Sequence, residues 1–307
     1  MSGMDNSDRS PHHAPNFRAI RWHWDWVTRP LFALVLGGVA IIALFKSPFY
    51  FALWCAIGAI PAAREWHRMV GDKRYPTQAA FTAFVVVFAI FGLLLTHNHP
   101  VFGFEVLAAG TLAAILLARL RGMNPAWQAA AIPYLGIPLL ALVALRAYPV
   151  NVDPLIFPAY GAFAVIGLFI IVWATDIGAL SFGNLIGGPR LVPVLSPNKT
   201  WAGTIGGMIT AVIAFALYVH YLGGNAIFAG LAAVVLSVTA HGGDLFESWV
   251  KRRFKVKNSG SLIPGHGGVL DRVDSLLSAS AAMAILVFVF HLDPLFGAHS
   301  PLFEVRL

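Results

Sequence analysis

The stretch His241-Gly-Gly-Asp244-Leu-Phe-Glu247-Ser248-Trp-Val-Lys251-Arg252 leaves an apolar run with ionisable side chains at a spacing that suits chemistry. As a helix it sets Asp244, Glu247, Ser248 and Lys251 on one face, at i, i+3, i+4 and i+7. An ionised group near a bilayer centre costs about 2.5 to 3.5 kcal/mol on insertion scales, so such a face is expected against a wet cavity, a partner or a metal. A solvated helix end with i,i+4 ion pairs is the plainer alternative. The following segment, Lys257 to Gly268, is glycine-rich and bracketed by cations, which suits backbone N–H groups brought close to phosphate oxygens. It contains no GxxxxGK[ST] and is not a Walker A loop. Asp271 and Asp274 come next, three apart and so neighbours on a helix. Such a pair suits Mg²⁺, which binds through carboxylates and substrate phosphates. An acidic pair at a helix start also favours the macrodipole, but Asp244 and the surrounding Lys and Arg residues favour the metal.

A third group lies upstream: Asp176, then Ser196-Pro-Asn198-Lys199-Thr200. Lys199 and Thr200 precede a predicted helix start, where a cation and free N–H groups can together hold phosphate. Gly203, Gly206 and Gly207 read as a close helix-packing stripe rather than as ligand contacts.

These residues need membrane helices to position them. The 307 residues are 58% hydrophobic and 11% charged, with a mean hydropathy of +0.73, which excludes an ordinary water-soluble domain. The single cysteine, Cys55, excludes an intrachain disulfide and a cysteine cluster, so any metal must be held by oxygen or histidine. Uncharged runs predict an all-α polytopic bundle of about nine spans, at 31–45, 47–62, 78–96, 101–118, 128–145, 154–175, 204–222, 225–241 and 276–292. The first two are short for a bilayer. Residues 1–29 are polar, lack a signal-peptide core and read as a tail whose Trp22, Trp24 and Trp26 suit a headgroup interface.

With the N-terminus inside, all of the chain's 21 Lys and Arg fall in inside segments except Lys46, Arg146 and Arg306. That asymmetry supports the spans and places loops 176–203 and 242–275 together on the cytoplasmic side. The predicted organisation is a tail at 1–29, a transmembrane scaffold at 30–150 with about five spans, and a chemical region at 151–307 with about four.

The run Ser248-x-Val250-Lys251-Arg252-x4-Lys257-Asn258-x-Gly260-x2-Ile263-Pro264-x-His266-Gly267-Gly268-Val269-x-Asp271-Arg272-Val273-Asp274 resembles the signature of phosphatidate cytidylyltransferases, the CDP-diacylglycerol synthases. The resemblance extends through Gly243 to Ser248, Ser196 to Thr200 and Asp176, most of residues 170–280. Three positions depart from it: Asn258 stands where the signature has Asp, and Asn198 and Ala202 replace a lysine and a glutamate. The first change removes a charge but keeps a carbonyl oxygen.

The resemblance implies transfer of a cytidylyl group from CTP to phosphatidic acid, giving CDP-diacylglycerol and pyrophosphate for phospholipid synthesis in a bacterial inner membrane. It implies Asp244, Lys251, Asp271 and Asp274 as catalytic, with Asp244, Asp271 and Asp274 holding Mg²⁺ and room for a second cation. Ser196, Lys199, Thr200, Ser248, Arg252, Lys257, His266, Gly267, Gly268 and Arg272 are the expected substrate contacts. The partners expected are CTP, phosphatidic acid or a related lipid phosphate, and the bilayer; a homodimer is compatible and nothing points to nucleic acid. Two rival readings are another lipid phosphate as acceptor and, in a different class, a transporter of an ion or phosphorylated solute. Ser248 and His266 can also be read as a nucleophile and base, although no covalent intermediate is called for.

Overall fold

The computed structural model describes residues 34–71, 76–96, 100–147, 160–260, 262, 267–292 and 295. The tail at 1–29, Arg306 and, within the signature, Ser261, Ile263 to Gly265 and His266 lie outside the described residues. Nine α-helices are present among them: α1 Leu34–Lys46, α2 Pro48–Met69, α3 Pro76–Leu95, α4 Pro100–Leu120, α5 Pro125–Ala147, α6 Tyr160–Leu185, α7 Trp201–Tyr221, α8 Ala226–Arg253 and α9 Leu270–Ala284. Seven helices are long and apolar enough to cross a membrane, the last running on through a π turn at Ile285–Val289. The protein is therefore an integral membrane helical bundle, as its composition predicts. The two short first runs differ from the others. Helix α1 has too few residues to cross about 30 Å of hydrocarbon, and α2 carries Arg64, Glu65 and Arg68 near its end.

Local signals explain where the helices begin and stop. Ser47 caps α2 by accepting the Tyr50 N–H, and Pro48 fills the first helical position, where no donor is needed. Asn225 caps α8 through the Phe228 N–H at 3.1 Å. Helix α6 stops before Gly187 and Gly188, whose φ values of +65° and +91° no β-carbon favours, and Pro189 follows.

The predicted polar loops are shorter than expected. Helix α6 continues nine residues beyond Asp176, and α8 continues from His241 to Arg253, because a charge does not end a helix without a cap, glycine or proline. What remains of the first loop folds as an antiparallel hairpin, β1 Arg190–Val192 with β2 Ser196–Thr200. This pairing was hidden from a reading based on hydropathy, since strands of this length carry no apolar alternation.

Helices α6 and α7 form the most intimate pair, and α8 and α9 pack beside them. The glycine stripe makes the first approach close. A β-carbon at Gly207 would lie 2.5 Å from the Thr175 carbonyl, and one at Gly203 would lie 2.7 Å from that of Ala179. Gly243 does the same for α8 and α9, where a β-carbon would meet the Asp274 carbonyl at 2.6 Å. Helix α5 connects the halves of the core, packing on α2, α3 and α4 and also on α9, where the Ser280 hydroxyl donates to the Pro138 carbonyl at 3.2 Å.

Candidate active site

Helices α6, α8 and α9 and the segment before α9 enclose a cavity of about 590 Å³ lined by Asp176, Asp244, Lys251, Lys257, Asn258, Gly267, Asp271, Arg272, Asp274 and Ser275. Its wall is almost wholly ionic or polar, an environment for phosphate and metal rather than for acyl chains. The predicted face of α8 forms one side. Ser248 donates toward Asp244 Oδ1 at 3.5 Å, and Lys251 Nζ bridges Glu247 Oε2 at 2.6 Å and Asp271 Oδ1 at 2.8 Å. Glu247 is fully buried, and Lys251 is its compensating charge. Asp244 pairs with Lys199, which reaches across from the hairpin's second strand.

Asp271 and Asp274 occupy different surroundings although one turn apart. Asp271 is saturated: besides Lys251, it accepts the Ser259 N–H at 3.1 Å and the Gly268 N–H at 2.9 Å on Oδ2. Asp274 is buried, accepts the Ser275 N–H on Oδ1 at 2.8 Å, and stands near Asp244 and Glu247. The glycine-rich segment therefore spends described N–H groups on carboxylates of the protein, not only on a ligand.

Other predicted contacts are placed as follows. Lys257, Gly267 and Arg272 line the cavity with Lys251. Gly267 takes a φ of +86°, a turn that glycine allows at little cost. Thr200 is buried and caps α7, accepting the Gly203 N–H at 3.1 Å, so its hydroxyl serves the fold first. Ser196 lies on β2 opposite Val192 and is not among the lining residues. Exposed Arg252 directs Nε to the Leu195 carbonyl at 3.4 Å and tethers the hairpin turn to α8.

A model of the cytidylyltransferase family matches residues 27–290 of this chain. The chain belongs to the cytidylyltransferase family. Curated relatives agree across the same length. A phosphatidate cytidylyltransferase of Brucella suis biovar 1 is 36% identical over 267 residues, covering 86% of this chain and 93% of the relative. One from Haemophilus influenzae is 35% identical over 279 residues, covering 82% and 94%, and one from Helicobacter pylori is 29% identical over 265 residues, covering 85% and 91%.

The cavity's donor set bears on whether it suits a cation. Among the described residues, no three of His, Cys, Asp and Glu stand close enough to hold a metal by themselves. Mg²⁺ asks for less, typically one or two carboxylates completed by water and substrate phosphates. Asp244 and Asp274 fit that need. They lie on one polar cavity, and their mutual repulsion beside buried Glu247 is what a cation would relieve. Asp271 fits less directly, since its oxygens already accept from Lys251, Ser259 and Gly268.

One residue that holds the segment beside the cavity has no counterpart among the sequence expectations, which assign 30–150 to scaffold. Glu65 of α2 is buried and accepts the Val269 N–H on Oε1 and the Leu270 N–H on Oε2, each at 2.9 Å. Those contacts lie 204 and 205 residues away along the chain, so no local spacing signals them.

Proposed function

We propose that this chain transfers the cytidylyl group of CTP to phosphatidic acid, forming CDP-diacylglycerol and pyrophosphate at the cytoplasmic face of a bacterial inner membrane. The observation that carries this reading is the convergence of Asp244, Lys251, Asp271, Arg272 and Asp274, separated in sequence, on one ionic cavity of a cytidylyltransferase-family membrane bundle.

In the reaction, an oxygen of the phosphatidate monoester attacks the α-phosphorus of CTP. The new P–O bond forms as the bond to the β-phosphate bridging oxygen breaks, and pyrophosphate leaves with that electron pair. The nucleophile needs little activation, so the protein's task is alignment and neutralisation of charge. Lys257 and Arg272, exposed at the cavity, suit the triphosphate and the leaving pyrophosphate, while Lys251 couples the α8 face to Asp271. Asp244 and Asp274, with Asp271 beside them, would hold Mg²⁺, which when bound would supply positive charge against that developing on the phosphates. Asn258 lines the cavity with an amide where the family signature carries a carboxylate, leaving an oxygen acceptor with one negative charge fewer beside the phosphates.

The deciding experiment uses purified full-length protein in nanodiscs with labelled CTP and a panel of lipid phosphates. The reading expects Mg²⁺-dependent pyrophosphate release with phosphatidic acid in step with CDP-diacylglycerol formation. Release with a different lipid phosphate and none with phosphatidic acid would overturn the acceptor. No release with any lipid would overturn the reaction.

A further inference from the structure

Helix α9 carries Asp271 and Asp274 into the cavity, yet its cap residue offers no side chain to its first N–H groups. Val269, the residue at the cap position, makes no side-chain capping bond, and the first N–H groups of any helix lack partners within it. Glu65 supplies them from α2. Oε1 accepts from Val269 and Oε2 from Leu270, both at 2.9 Å, and the Ser259 hydroxyl donates to Oε2 at 3.3 Å. A carboxylate at a helix N-terminus also meets the positive end of the macrodipole, which compensates a buried charge.

Space around Glu65 has been cleared on both sides of the segment before α9. A β-carbon at Gly260 would lie 2.5 Å from Oε1, and one at Gly268 would lie 2.5 Å from Oε2. Ser259 and Gly268 are the residues whose N–H groups hold Asp271, and Asp271 in turn holds Lys251. A continuous set of bonds thus runs from α2 through the first turn of α9 to the α8 face. Helix α2 packs chiefly on α3 and α5 and barely on α9, so this side chain is the principal link between α2 and the cavity wall.

We infer that Glu65 is a positioning residue of the active site: it sets the start of α9 together with Ser259, Gly260 and Gly268 so that Asp271 and Asp274 face Asp244 and Lys251. The inference rests on the reaction proposed above for its kinetic readout, and on geometry alone for its second one. Glu65→Gln is the chosen variant, because it keeps volume and one acceptor while turning an amide nitrogen toward a backbone donor.

In full-length protein in nanodiscs, kcat for pyrophosphate release is expected to fall about tenfold or more while KM for CTP stays within roughly twofold, the pattern of lost alignment rather than lost binding. Hydrogen exchange at 259–260 and 267–271 should quicken while α3 and α4 keep their protection. Ser259→Ala, which removes one of the three bonds, should move both readouts the same way by less. Wild-type kcat with unchanged exchange in Glu65→Gln would overturn the inference. So would exchange that rises equally throughout the bundle, the sign of a generally weakened fold. If the wild-type chain shows no transferase activity, the proposed reaction fails, and local exchange alone decides the role of Glu65.

Discussion

At the scale of single residues, neighbours in sequence have unlike work. Asp271 is locked by Lys251 and two backbone N–H groups, whereas Asp274, one turn on, is buried near Asp244 and Glu247 and accepts the Ser275 N–H. Asp274→Ala is accordingly expected to lower kcat for pyrophosphate release by about 100-fold or more, the scale of losing one preorganised electrostatic group, with little loss of stability. Steady-state kinetics and a thermal melt check both halves of that statement. Lys251 is different because it is the charge partner of a fully buried carboxylate. Lys251→Met leaves Glu247 uncompensated, and both activity and stability should fall, the latter by about 3 kcal/mol. An unchanged melt would refute that assignment. The α8 face was legible because i, i+3, i+4, i+7 is a helical spacing, and Asp244 to Lys251 obey it. Glu65 was not, because sequence offers Arg68 at i+3 as an ordinary surface partner. In the structure Arg64 and Arg68 face outward and Glu65 inward.

At the scale of elements, the membrane helices were legible wherever uncharged runs were long, and their ends were not. Hydropathy closes α6 at Asp176 and α8 at His241, yet both helices continue, and these polar extensions build the cavity. Charge is a poor stop signal; Gly187, Gly188 and Pro189 are good ones. The glycine stripe on α7 reads correctly as packing, since it admits the carbonyls of Thr175 and Ala179 on α6. Gly207→Val places branched carbon against the Thr175 carbonyl, next in sequence to cavity residue Asp176. Overpacking of this kind costs about 1 to 3 kcal/mol. A lowered melting temperature is expected, together with weakened activity, because α6 must move away from α7 and carries Asp176 with it. Gly242→Ala serves as the contrast, since a β-carbon there meets nothing within 4 Å, and it should melt like the parent.

At the scale of the whole molecule, the distribution of Lys and Arg predicts which end of the bundle faces the cytoplasm, and that end should bear the hairpin and the cavity. Cys55 is the single cysteine and is buried, so the native chain is a quiet background for thiol labelling. Arg190→Cys, on the exposed first strand, should react with a membrane-impermeant maleimide in inverted inner-membrane vesicles and stay silent in right-side-out ones. The reverse pattern would invert the topology. The dependence of the second half on the first was not legible, because it runs through contacts far apart in sequence, α5 against α9 and the side chain of Glu65 against the start of α9. That dependence has a consequence in time. A ribosome delivers α2 some two hundred residues before the backbone donors that its carboxylate meets at the start of α9. A chain that stops before α9, even with most of its helices in the membrane, therefore lacks Asp271, Asp274 and the donors that Glu65 meets.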